Sequence, residues 1–141
     1  MRTAIELMLI GAGGAIGAMS RFGIAEFSRR MFSNSFPIGT LLANLAGCFL
    51  IGVLLGSGQA DKSEPLRLGV GVGFLGALTT FSTFGAETIQ KVNDGNWGVA
   101  FGNIAANLVL GLGLVALGIL AGKKFDCLIR WVRPVARMSK L

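Results

Sequence analysis

The run GALTTFSTFGAE, Gly76 to Glu87, decides how this chain is read. It lies in a segment that is apolar from Leu66 onward. Within it are four hydroxyls (Thr79, Thr80, Ser82, Thr83), two phenylalanines three apart (Phe81, Phe84) and a closing carboxylate. On a helix Phe81 and Phe84 are neighbours, and Thr80, Thr83 and Glu87 share an adjoining stripe. β-Branched residues with hydroxyls compete with the helix backbone for hydrogen bonds, so consecutive Thr79 and Thr80 after Gly76 favour a break. In lipid, irregular backbone is tolerated only where it is buried in protein or lines a cavity, and freed carbonyls there bind cations. The run therefore predicts a broken membrane helix. Its second half starts near Ser82 and directs free N–H groups toward the break.

The rest of the sequence supplies the membrane. The chain has 141 residues, enough for one domain. It is 52% hydrophobic with a mean hydropathy of +0.68. Only 14% is charged, against about 25% in soluble domains. Ser33–Ala60, Leu68–Ala86 and Asn96–Gly122 carry no charge at all. Each run reaches the ~20 residues that cross a hydrocarbon core. A further apolar stretch, Ile5–Phe27, is interrupted by Arg21 and Glu26. A secretory signal is the other reading of that stretch; the apolar pattern continues past Arg21, and a glycine-rich run makes a poor signal core.

The expected fold class is an all-α membrane protein. It has four transmembrane helices over about 4–28, 38–57, 66–92 and 97–121, the third of them broken. Arg29–Pro37, Gly58–Pro65 and the turn Asn93-Asp94-Gly95-Asn96 connect them, and Trp97 follows as an interfacial aromatic. Residues 1–122 form the transmembrane domain and 123–141 a basic tail. In the tail Phe125, Leu128, Ile129 and Val132 recur at helical spacing, among Lys123, Lys124, Arg130, Arg133 and Arg137. This reads as a short amphipathic helix on an anionic membrane surface, ending near Pro134, or as a solvated tail. The net charge of +6 comes largely from it, which leaves no case for nucleic-acid binding.

Charge also bears on orientation. Four spans put both termini and the second loop on one side. Without the tail, Arg2, Lys62 and Arg67 on that side balance Arg29, Arg30 and Lys91 on the other. Such a core suits insertion in both orientations, whereas the tail pulls the termini toward the cytoplasm.

Several motifs are set aside on physical grounds. GAGGAIG (Gly11–Gly17) and GVGFLG (Gly71–Gly76) resemble dinucleotide-binding turns, but they lie inside spans with no room for the required sheet. Small-xxx-small pairs, Gly13/Gly17, Gly52/Gly56, Gly98/Gly102 and Gly118/Gly122, mark close helix contacts. They exceed what a four-helix monomer needs and point to oligomerisation. Histidine is absent, and Cys48 and Cys127 show no metal or disulfide spacing. No nucleophile–base pair appears, so the chain is read as a non-enzyme.

The remaining polar groups concern the membrane interior. Arg21 either snorkels to the interface or lines a vestibule that draws in anions. Asn44 lies well inside the second span; Asn103 and Asn107 lie four apart on one face of the fourth. Their amides either bond between helices or offer donors to an anion in a water-filled path. Hydroxyls, amides and the positive edges of phenyl rings suit an anion. The residues alone lead to an anion-permeable pore.

Three motifs carry a family resemblance: GGAIGAMSRF (Gly13–Phe22), GTLLANLAGCFLIG (Gly39–Gly52) and GFLGALTTFSTFGAE (Gly73–Glu87). In order and in combination they resemble the Fluc/CrcB family of microbial fluoride channels, over roughly residues 5–122. The resemblance implies passive, selective fluoride export across a bacterial inner or plasma membrane. It implies an antiparallel, dual-topology homodimer with two pores and a structural sodium ion (Na+) on its two-fold axis. Phe81 and Phe84 match the phenylalanines lining the ion path, Asn44 the pore asparagine and Arg21 the vestibule arginine. Ser82 and Thr83 match the hydroxyl track, and Glu87 the acid that closes it. Gly76 and Thr79 match the residues whose carbonyls hold sodium. The fourth-span pair Asn103 and Asn107 departs from the aromatic and serine often found in relatives; Asn107 is placed with the pore residues. The rivals are a small dual-topology drug or cation exchanger, which needs a mid-membrane carboxylate such as Glu87, and an accessory membrane subunit.

Overall fold

The computed structural model describes residues 2–32 and 35–138, with side chains as far as Leu128. Every element is helical. Helix α1 is Arg2–Met31 and α2 is Ile38–Ser57. Two short helices, α3 (Gln59–Lys62) and α4 (Glu64–Leu66), lead into a π-helical run, Arg67–Leu75, and then α5 (Gly76–Leu78). Helix α6 is Phe81–Asn93. The last stretch is α7 (Trp97–Ala105), a π-helical turn (Ala106–Leu110) and α8 (Gly111–Met138). Among the described residues, four segments are long and apolar enough to cross a membrane: Arg2–Met31, Ile38–Ser57, Glu64–Asn93 and Trp97–Leu128.

The connections follow from local chemistry. Helix α2 ends at Gly58, whose φ of 60° lets its N–H reach back to the Leu55 carbonyl. Helix α6 ends in a paired cap. Gly95, at φ 76°, donates to Val92 O at 3.0 Å, and Asn96 donates to Lys91 O at 2.8 Å. That pattern needs a residue in the left-handed region, which glycine supplies without a Cβ clash.

The spans pack in two backbone-close pairs. A Cβ on Gly13 would lie 2.0 Å from Gly69 O, and one on Gly17 would lie 2.2 Å from Phe74 O. Helix α1 therefore lies directly on the π-helical run. Helices α2 and α8 meet in the same way. A Cβ on Gly52 would come within 2.4 Å of Val115 O, and one on Gly118 within 2.3 Å of Phe49 O. Lipid offers helices no hydrophobic drive to associate, so such close approach is what holds the bundle. Outside the spans, Lys62 Nζ lies 3.2 Å from Asp126 Oδ1 and ties the second loop to α8.

Two expectations change here. Gly13/Gly17, Gly52/Gly56 and Gly118/Gly122 are consumed inside the chain, so they carry no argument for oligomerisation; Gly98 alone of those pairs faces open space. The helix expected to end near Pro134 continues to Met138. A proline at this depth in a helix lacks its own backbone donor and its ring crowds the carbonyl four residues before it, so the turns around Pro134 are the weakest of this helix. The tail side chains from Ile129 onward, including Arg130, Val132, Arg133 and Arg137, lie outside the described residues.

The packing predicts a contrast between glycines. Gly17→Val should destabilise the protein by about 1–3 kcal/mol through overpacking, whereas Gly98→Ala should be close to neutral. Thermal unfolding in detergent measures both.

Candidate functional site: a groove and a cavity that share Thr80

The site is organised by two residues that are not helical. Thr79 (φ −82°, ψ 152°) and Thr80 (φ −150°, ψ 114°) are extended, between α5 and α6. Thr79 Oγ1 donates back to Leu75 O at 3.0 Å and competes with the helix ladder at that point. Its methyl sits where a Cβ on Gly47 would be, 2.2 Å away, so only glycine on α2 admits it. Thr80 caps α6: its Oγ1 accepts from Thr83 N at 3.2 Å.

Asn44 bridges the extended pair. Its Oδ1 accepts from Thr80 N at 2.8 Å, and its Nδ2 donates to Thr80 O at 3.4 Å. In a continuous helix Thr80 N would bond to Gly76 O and Thr83 N to Thr79 O. Both donors are turned elsewhere, so the carbonyls of Gly76 and Thr79 are released from their helical partners.

The other Asn44 donor goes to Asn107 Oδ1 at 2.9 Å. Asn107 Nδ2 donates to Asn103 Oδ1 and Asn103 O, each at 3.0 Å. Insertion of that side chain into the ladder accounts for the π-helical turn containing Asn107. Asn103, 1% exposed, donates to Thr88 Oγ1 at 2.8 Å. Of the two sequence readings of these amides, interhelical bonding is what the geometry contains.

Two spaces open on either side of Thr80. A groove of about 460 Å³ is lined by Asn44, Thr79, Thr80, Phe81, Phe84 and Asn107, with Gly76 at its edge. The rings of Phe81 and Phe84 are 5.6 Å apart and tilted at 53°. Phe81 is 82% exposed. A cavity of about 310 Å³ is lined by Arg21, Thr40, Thr80, Thr83 and Glu87. Glu87 Oε1 accepts from Thr40 Oγ1 at 2.9 Å, while its buried Oε2 has no partner among the described residues. Thr40 and Glu87 also line a second cavity, of about 230 Å³, bordered by Arg29 and Lys91.

The sequence-selected residues thus fall into two groups. Phe81, Phe84, Asn44, Asn107, Gly76 and Thr79 share the groove, and Arg21, Thr83 and Glu87 share the cavity. Ser82 is exposed, with its Oγ 3.2 Å from Thr80 Oγ1. Thr80, which lines both spaces, and Thr40 were not among the selected residues. Thr40 had a signal, since it stands one helical turn before Asn44 on the same face.

Four apolar spans with polar groups set among them define a multi-pass membrane protein. The chain belongs to the CrcB family: the family model described as CrcB-like protein, Camphor Resistance (CrcB), matches residues 8–119. It is 44% identical over 119 residues to the fluoride-specific ion channel FluC of Dehalococcoides mccartyi strain BAV1, covering 83% of this chain and 92% of that protein. It is 49% identical over 114 residues to FluC of Shewanella loihica, covering 80% and 92%. FluC of Shewanella sp. strain ANA-3 is 48% identical over 114 residues, with the same coverage.

Asn44→Ala tests the bridge. It leaves the Thr80 N–H without an acceptor, a loss of about 1–3 kcal/mol. Hydrogen exchange at the Thr80 amide should accelerate, while exchange at the buried Ala100 amide stays unchanged.

Proposed function

We propose that this chain is a fluoride-selective passive channel that exports fluoride from the cytoplasm. One observation carries the reading. Relatives named fluoride-specific ion channel are 44–49% identical to this chain over at least 80% of its length, and the groove and the cavity both border Thr80. The path runs from the Phe81 and Phe84 edges, past Asn44, Asn107 and Thr80, along Ser82 and Thr83 to Glu87 and Arg21. A small anion that holds water tightly needs many donors to replace its shell; the hydroxyls and ring edges supply them. The Asn44 and Asn107 amides, whose N–H groups are already bonded within the protein, hold the wall of the path in place. Arg21 draws anions into the cavity.

The two helical pieces flanking Thr79 and Thr80 together form a broken third span. Its groove is open on one side and carries amides and released carbonyls. Such groups do not face lipid. That supports a second copy of the chain as the cover, in an antiparallel, dual-topology homodimer with two pores. The balanced charge of the spans supports the same arrangement.

A structural sodium ion at the dimer interface belongs to this reading. Neutral carbonyl oxygens at a helix break suit such a cation. The carbonyls of Gly76 and Thr79, freed from their helical donors, fit the role and would hold it. When bound, the ion supplies positive charge between the two copies.

Liposomes holding only the purified protein test the function with a fluoride electrode. Fast fluoride release without chloride release is expected, reduced by Phe81→Ile. No fluoride release from folded dimers overturns the reading. Glu87→Gln separates the exchanger: it abolishes cation exchange through a carboxylate but leaves anion selectivity in place. Replacing sodium by a large organic cation throughout purification should lower both fluoride flux and the dimer fraction.

A further inference from the structure

The amide bonds described above form one chain with a single direction. Thr80 N donates to Asn44 Oδ1, and Asn44 Nδ2 donates to Asn107 Oδ1. Asn107 Nδ2 donates to Asn103 Oδ1, and Asn103 Nδ2 donates to Thr88 Oγ1. Thr88 Oγ1 in turn donates to Phe84 O at 2.7 Å. Both ends are fixed by chemistry, since a backbone N–H only donates and a carbonyl only accepts. Between them each amide has one orientation that satisfies both neighbours.

We propose that Thr88 and Asn103 are positioning residues that set the orientation of the Asn44 amide and so keep the backbone at Thr80 out of the helix. Both are buried, at 6% and 1% exposure, and neither lines the groove or the cavity. They act through Asn107 and Asn44. Without the Thr88 hydroxyl, the Asn103 NH₂ is a buried donor lacking its acceptor. Turning Asn103 over moves the defect rather than removing it, since its Oδ1 then lacks a donor and its NH₂ faces the NH₂ of Asn107. Further turns pass the defect along the chain until Asn44 turns its NH₂ to the Thr80 N–H. That N–H must then seek Gly76 O, which is the helical bond whose absence opens the site.

This inference rests on the reading of Asn44 and Thr80 as parts of a fluoride path, and its test keeps the two separable. Thr88→Val preserves shape and removes the hydroxyl; Thr88→Ser preserves the hydroxyl. Each full-length variant is assayed for fluoride efflux from liposomes and, separately, for hydrogen exchange at the Thr80 and Ala100 amides. Thr88→Val should lower efflux about tenfold, the worth of one buried hydrogen bond. It should alter exchange at Thr80 and not at Ala100. Thr88→Ser should restore both to wild-type values. A merely structural role would move Ala100 as well. If Thr88→Val does not assemble, Thr88→Ala is read in the same way. Wild-type efflux and wild-type Thr80 exchange in the hydroxyl-free variant overturn the inference. If the wild-type protein releases no fluoride, the channel reading fails, and Thr80 exchange alone still decides whether the relay exists.

Discussion

The bond from the Thr80 backbone N–H to Asn44 Oδ1 is the interaction on which the rest depends. A membrane interior offers no water to a stray amide, so a helix there does not open unless another group takes over the bond. Asn44 does so from the neighbouring helix with one side chain, meeting both the N–H and the C=O of Thr80. The Thr80 hydroxyl meets the N–H of Thr83 in the same way. What remains are carbonyls without helical donors, those of Gly76 and Thr79 among them, and a pair of spaces that both border Thr80. Every proposed role in the ion path follows from that exchange of partners.

The glycines make the exchange geometrically accessible. Asn44 reaches Thr80 only because α2 lies close to the extended pair, and Gly47 admits the Thr79 methyl into that contact. Gly52, Gly56, Gly118 and Gly122 lock α2 to α8, while Gly13 and Gly17 lock α1 to the run before Gly76. The frame is thus built from backbone contacts, and the few polar side chains are left to act within it. Core density here comes from small residues, as expected where lipid competes equally for large apolar ones.

Much of this was legible in the sequence, because its signals are local. Charge-free runs of membrane length led to the spans Ile38–Ser57 and Glu64–Asn93 to within a few residues; the fourth, expected to end near 121, runs on to Leu128 because its helix continues into the basic stretch. The Asn-Asp-Gly-Asn turn was readable from its glycine, which adopts the left-handed conformation. Consecutive threonines after Gly76 drew attention to the position where the backbone is extended. The pairing of amides was not legible. Whether Asn44 faces a path or a partner depends on residues 36 and 63 positions away, and sequence spacing within one helix does not report such pairs. The same holds for Asn103, whose partner Thr88 lies on the preceding helix. The glycine pairs misled for a related reason: spacing marks a close-contact face but does not say which helix meets it.

The carbonyls of Gly76 and Thr79 stand outside the helix, and two exchanges of partner keep them there: Asn44 takes the Thr80 N–H from Gly76, and the Thr80 hydroxyl takes the Thr83 N–H from Thr79. Isotope-edited infrared spectroscopy of the protein in lipid, with a labelled carbonyl at Gly76 or Thr79, measures that directly. Both labels should absorb away from the helical carbonyl band and shift when sodium is exchanged for a large organic cation. Asn44→Ala should shift the Gly76 label and leave in place the Thr79 label, which the Thr80 hydroxyl keeps free. Helical absorption at both positions in the unaltered protein would contradict the account.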